Sequence, residues 1–294
     1  MRVPVKKAAW VVLLCAAMVV PAVVAIAQDA VNPPASSIPD AVNDSQAVPS
    51  GPKSCSRSLL TSYDPDKGEF FGHDVSVWGL ENGSAFLFKS GMTIDADGAP
   101  NAYNPDNTGL DDLANAGEPG HWGGIVAGED GEPLLQGPND PFPGFYISCT
   151  ALADWSKAST DPTRYVDASK IPYIVLPGAL SHQLGARLGD FAVVMNMRNG
   201  ASAYAIFADI GTLGEGSVAL AEKLGIHSDA REGGTRGGVL YLVYPGSGNR
   251  RPRQIEEING ETDKLFQAWG GTEKLNSCAG APPPRNQLAD KNFH

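Results

Sequence analysis

Residues 191–209, FAVVMNMRNGASAYAIFAD, limit the possible folds more than any other stretch. Two runs rich in apolar, β-branched and aromatic residues meet at Asn199-Gly200, a pair that tolerates the positive φ of a tight hairpin turn. The same device recurs in DVSVWGLENGSAFLFK (74–89), around Asn82-Gly83. YIVLP (173–177) and VLYLVYPG (239–246) are short buried-strand runs stopped by Pro or Gly. In AYAIFAD both faces are apolar, so that strand needs cover on each side. Helical periodicity is scarce. It is clear at Ser217–Leu224, where Val218/Ala221 and Leu220/Leu224 share a face before Gly225, and again around Asp263–Trp269. The pattern predicts a mainly β, single-domain closed β-barrel with few short helices and long Gly/Pro loops.

The ends of the chain have a different composition. A basic MRVPVKK, an apolar core and Ala25-Ile26-Ala27 read as a secretory signal peptide over residues 1–27, which implies a secreted protein, extracellular or periplasmic. Residues 28–54 and 279–294 are rich in Pro and polar residues and read as a disordered linker and tail around a domain at 55–278. Removing the signal takes Arg2, Lys6 and Lys7 from a chain of net charge −11, leaving about −14. Such acidity argues against nucleic acid, which needs clustered Lys and Arg, and suits a neutral or cationic partner. No stretch beyond the signal is long and apolar enough to span a bilayer, so no membrane association is expected after cleavage, and a monomer is expected. Export permits a disulfide among Cys55, Cys149 and Cys278, with one thiol left over. A Cys55–Cys278 clasp and a Cys55–Cys149 bridge are both open at this stage.

Several chemistries are excluded by their missing motifs. The chain has no G-x-S-x-G elbow, no H-E-x-x-H, no C-x-x-C and no phosphate loop, and its five histidines lack ligand spacing. No metal or cofactor is called for. Carboxylates remain. In AYAIFADIGTLGEGSVALAEKLGI (203–226) a strand hands over to a helix through a glycine-rich turn with Asp209 before it and Glu215 after it. Glycoside hydrolysis needs two such carboxyls, one to protonate the leaving oxygen and one to activate water or attack carbon. The competing reading is a helix cap, since acids near a helix N-terminus satisfy free N–H groups and lower their own pKa there.

A second acidic stretch, IDADGAPNAYNPDNTG (94–109), begins like a calcium loop but lacks the acid that closes one. Asp95 and Asp97 read as an Asp-rich turn or as binding carboxylates. Trp122, Trp155, Tyr103, Tyr146 and Tyr165 lie in loop-like contexts, but none is assigned to the site. Arg164 and Asp167 read as a structural ion pair.

Together MTIDADG (92–98), IPYIVLP (171–177), GDFAVV (189–194) and residues 203–226 resemble the fungal-type chitosanases of glycoside hydrolase family 75. The resemblance implies an endo-acting, inverting hydrolase of partly deacetylated chitin, with Asp209 as general base and Glu215 as general acid. It also implies substrate ammonium groups as what Asp95 and Asp97 would bind. Two departures stand out: Ala208 where glycine is usual, and a shorter turn before Glu215. A weaker resemblance links ADIG…GEGSVALAEKLGI…GGVLYLVYPGSG to the double-psi barrels of peptidoglycan-cleaving lipoproteins and barwin-like modules. It implies a barrel of the double-psi type and two functional alternatives: a lytic transglycosylase-like enzyme, or a non-catalytic polysaccharide-binding module.

Overall fold

The structure is a computed structural model and describes residues 55, 57–64, 74–80 and 83–279. The segments read as signal peptide, linker and, beyond Ala279, tail lie outside the described residues.

The strands, in chain order, are β1 (Arg57–Tyr63), β2 (Val75–Leu80), β3 (Ala85–Asp95), β4 (Gly117–Glu118), β5 (His121–Trp122), β6 (Tyr173–Leu176), β7 (Phe191–Asn196), β8 (Ser202–Ile210), β9 (Glu215–Ser217) and β10 (Thr235–Val243). Six of them close a barrel in the order β3-β10-β7-β8-β6-β9, with β9 pairing back onto β3. Closure depends on β3 changing partner along its length. Its first residues, Ala85 to Phe88, face β2, and its last, Thr93 to Asp95, run parallel to β9. The β6–β8 pair is also parallel. That mixture separates the fold from an up-and-down barrel and agrees with the double-psi expectation. Strands β1 and β2 extend the sheet beyond the ring, and β4 with β5 forms a separate small hairpin.

Both predicted hairpins form. Leu80 faces Ala85 across the first, and β7 pairs antiparallel with β8 across the second. Gly83 and Gly200 take φ of 76° and 73°, while Asn82 lies outside the described residues. Every residue of β6 and of β7 is buried, which explains why these strands read as continuous apolar runs rather than alternating ones. Inside, Phe88 and Tyr241 stack with ring centroids 4.5 Å apart.

Four helices surround the barrel: α1 (Gly178–Gln183), α2 (Val218–Leu224), α3 (Ile255–Trp269) and α4 (Gly271–Ala279). The α2 helix starts one residue later than the periodicity suggests, because Ser217 is its N-cap and accepts from Leu220 N–H at 3.1 Å. Gly225 ends it in the left-handed conformation at φ 63°. The α3 helix begins well before Asp263. Ile258, Thr262, Phe266 and Trp269 give it one buried face, a stripe blurred in the sequence by Asn259-Gly260. That face packs on β7 and β8, with Phe266 edge-on to Tyr204 at 6.1 Å. The Tyr204 hydroxyl also donates to Asp263 at 2.7 Å. The α1 and α4 helices carry no strong periodic signal and were not expected.

Of the two open pairings, Cys55–Cys278 is the one formed, with Cα atoms 5.0 Å apart. It ties α4 to a point two residues before the start of β1. The expected leftover thiol is not found, because no described cysteine is free. Cys149 is buried in a small second core with Val126, Ile147, Ala153 and Tyr165. The expected Arg164–Asp167 ion pair is also absent. Asp167 pairs with Lys170 at 2.7 Å instead, and the Arg164 guanidinium lies over the Trp155 ring, 4.4 Å from its centroid. An aromatic face accepts a guanidinium with little desolvation, so the ring captures it.

Candidate active site

Strand register brings the two acidic stretches together. Asp95 is the last residue of β3 and pairs with Ser217 of the parallel strand β9, so Thr93 stands beside Glu215. Asp209 lies near the end of β8, opposite Val175 of β6. Because β9 bridges β6 and β3, these strand ends converge at one end of the barrel. Asp95, Asp97 and Asp209 each present a carboxylate oxygen within 4.8 Å of the others. The sequence separates the first two from the third by more than 110 positions; the fold makes them a cluster.

Each carboxyl is held differently. Asp209 is 9% exposed, and its Oδ1 accepts from Ala151 N–H at 2.9 Å and Ile210 N–H at 2.8 Å. Asp97 Oδ1 accepts from the Tyr103 hydroxyl at 2.6 Å. The Asp97 backbone is clamped on both sides, its N–H donating to Asp95 Oδ1 at 2.8 Å and its carbonyl accepting from the Tyr173 hydroxyl at 3.0 Å. Two glycines allow this packing. At Gly98, φ is 79° and a Cβ would strike the Val166 carbonyl. At Gly124, a Cβ would strike the Asp97 carboxylate itself.

Glu215 is half-buried, and its Oε2 accepts from Thr212 N–H at 2.8 Å. The carboxylate therefore closes the 211–215 turn on itself. A Cβ on Gly211 would sit 2.7 Å from that oxygen. The capping alternative for Glu215 is answered by Ser217, which caps α2, while Glu215 belongs to β9. Any pKa effect of the helix terminus falls mainly within its first turn, which starts after Ser217.

Burial pushes the Asp209 carboxyl well above the usual range, reinforced by the charges of Asp95 and Glu215 and opposed by its two N–H donors. Asp97 is likewise pushed well up, first by burial and then by Asp95 and Asp209, against the Tyr103 hydrogen bond. A cluster of this kind holds protons or attracts a cation, whether a metal ion or an ammonium group. All four acids singled out in the sequence lie in this region, and Asp209 and Glu215 are close enough to influence one another electrostatically. Sequence reasoning missed the tyrosines and backbone donors that fix them. Tyr103 was visible only as an aromatic residue in a loop, and nothing local marked Tyr173 or Ala151.

A closed barrel whose strand ends gather carboxyls in this way offers the acid groups that glycoside hydrolysis requires. The family described as fungal chitosanase of glycosyl hydrolase group 75 matches residues 92–269, from within β3 to the end of α3. The chain belongs to that family and is a glycoside hydrolase. The match covers well over half of the chain and contains all four acids. No curated protein matches the chain. Among the described residues no helix is long and apolar enough to cross a membrane.

Proposed function

We propose that the protein is an endo-acting, inverting hydrolase of the β-1,4 linkages of chitosan. In this reading Asp209 is the general base, Glu215 the general acid, and Asp95 and Asp97 receive substrate ammonium groups. The carrying observation is the half-buried cluster in which Asp95, Asp97 and Asp209 approach within 4.8 Å of one another. Carboxyls so close disfavour one another's ionised forms, and a bound cation offsets that repulsion. A glucosamine unit brings that cation covalently attached.

The cluster supplies a reason for selectivity. In the free enzyme burial and the charge of Asp95 raise the Asp209 pKa, which disfavours the ionised form that a base needs. An ammonium group bound between Asp95 and Asp97 offsets their charge and lowers the Asp209 pKa, so the base ionises when cationic substrate arrives. Asp209 then takes a proton from water as that water attacks the anomeric carbon. Glu215 gives its proton to the departing glycosidic oxygen. The water ends on a new reducing end of inverted configuration. This geometry requires the two carboxyls to stand about 6.5–9.5 Å apart so that a water fits between them and the sugar. The signal reading of residues 1–27 supports export of this activity, to the periplasm or the cell exterior.

The experiment is incubation of the purified mature chain with chitosan and, separately, with peptidoglycan, counting new reducing ends. Hydrolysis of chitosan, lost by roughly 10²–10⁴-fold in both Asp209→Asn and Glu215→Gln with folding intact, is the expected result. Anhydro-sugar products from peptidoglycan, or sensitivity of only one acid, would replace it with a single-acid transglycosylase. Polymer retention without product would leave a binding module.

A further inference from the structure

Trp155 is 67% exposed, although it is a large aromatic ring in a protein that buries most others. Large exposed apolar groups commonly mark binding surfaces. One of its faces is covered by the Arg164 guanidinium, 4.4 Å from the ring centroid. With so much of the residue still accessible, the opposite face is open to solvent.

The ring is held in place by its surroundings. Arg164 is 8% exposed and is anchored by donating to the Lys157 carbonyl at 2.6 Å, while its Nε has no partner among the described residues. Asp154 N–H donates to the Arg164 carbonyl at 2.8 Å, and Ala153 bridges to Tyr165. The segment is also tied to the catalytic acids. Ala151 N–H donates to Asp209, and Leu152 N–H donates to the Ala208 carbonyl at 2.9 Å. On the Arg164 side, the Val166 carbonyl packs against Gly98, next to Asp97. Three residues separate Ala151 from Trp155, so their Cα atoms, four peptide links apart, lie at most about 14 Å from each other. That is within the span of a short oligosaccharide bound at Asp209.

We propose that the open face of Trp155 is a substrate subsite that stacks an N-acetylated sugar unit of the same chain whose glucosamine is held at the acid cluster. The inference rests on the glycoside hydrolase reading of that cluster. Stacking is available to any pyranose, but charge decides which sugar is favoured. The acid cluster attracts ammonium, whereas here a guanidinium already occupies one face of the ring. Asp154 and Asp161 keep their negative charge, stabilised by Ser156 and Thr163, but Arg164, Lys157 and Arg251 outnumber them. Lys157 and Arg251 add positive charge next to Asp154. A neutral acetamido sugar meets no repulsion there, while a second ammonium does.

The test uses the full chain and two probes, a chitosan tetramer carrying both N-acetylated and free glucosamine units and the fully deacetylated glucosamine tetramer. NMR of the Trp155 indole N–H, assigned with Trp155→Phe, reads contact directly. The expected result is a shift of that signal by the partly acetylated probe. Trp155→Ala should weaken binding of this probe by roughly 3- to 10-fold, with a smaller effect on the deacetylated one, and Trp155→Tyr should restore it. An unmoved indole signal with both probes, or equal weakening of both by Trp155→Ala, overturns the proposal. The two readings fail separately. If wild type cleaves chitosan while the indole stays silent, the subsite is wrong and the hydrolase stands. If the indole responds but no substrate is cleaved, the subsite stands and the hydrolase reading falls.

Discussion

The Tyr103 hydroxyl donates to Asp97 Oδ1 at 2.6 Å, joining a buried aromatic residue of the loop after β3 to the most constrained acid of the cluster. The bond favours the ionised form of Asp97 against burial and its acidic neighbours. Tyr103→Phe keeps the ring and leaves that carboxylate oxygen without this donor. It should cost about 1–3 kcal/mol, as expected for a hydrogen bond to a charged or partly charged group. Thermal unfolding checks this, at roughly 2–4 °C per kcal/mol for a domain of this size.

The raised pKa values of Asp97 and Asp209 predict how stability varies with pH. Above the unfolded-state value near 4, the native protein binds more protons at these positions than the unfolded chain does. Stability contributed by these two groups is therefore fully present below about pH 4 and is lost as pH rises through their folded-state values. Asp97→Asn, which removes one ionisable member, should raise the melting temperature at pH 7 relative to wild type. The advantage should disappear toward pH 4. Melting curves across that range decide it.

Catalysis should respond to Asp95 in a defined direction. After burial, Asp95 is the largest cause holding the Asp209 carboxyl up. If Asp209 is the base, the acid limb of kcat/KM lies above the ordinary carboxylate range in wild type. Asp95→Asn should move that limb to lower pH, because a negative neighbour has gone. The same variant should raise KM for chitosan, since one ammonium partner is lost. A pH–rate profile with both parameters separated tests the two effects together.

Gly211 leaves room for Glu215. A Cβ there would lie 2.7 Å from Glu215 Oε2 and 3.0 Å from Val175 Cγ1. Gly211→Ala should therefore displace the carboxylate and lower kcat by about 10- to 100-fold with the fold retained, since small misplacements of a catalytic group are costly. Steady-state kinetics with circular dichroism as the folding control reads this.

The Cys55–Cys278 bond closes a loop of 223 residues. Replacing both cysteines by serine should destabilise the protein by about 2–5 kcal/mol. Denaturant unfolding of oxidised wild type against the double variant measures it.

The barrel class was legible in the sequence because strand formation at β7, β8 and β10 follows from local runs of branched and aromatic residues. The turn glycines and the Ser217 and Gly225 stops of α2 are likewise local. The four acids could be named from two short stretches for the same reason. How the acids are arranged could not be read there. The closeness of Asp95, Asp97 and Asp209 depends on β9 inserting between β3 and β6, a pairing between distant segments that leaves no periodic trace. The donors that set their charge, Tyr103 and the Ala151 amide, arrive from loops whose residues look ordinary in isolation, and Tyr173 of β6 holds the Asp97 backbone carbonyl. Arg164 could be read as a partner for nearby Asp167, yet it lies over Trp155, because side-chain direction is set by packing rather than by distance along the chain. Local chemistry thus determined which elements form and which residues can ionise. Only the closed sheet, by fixing who stands beside whom and how much water reaches them, decided how those carboxyls hold their protons.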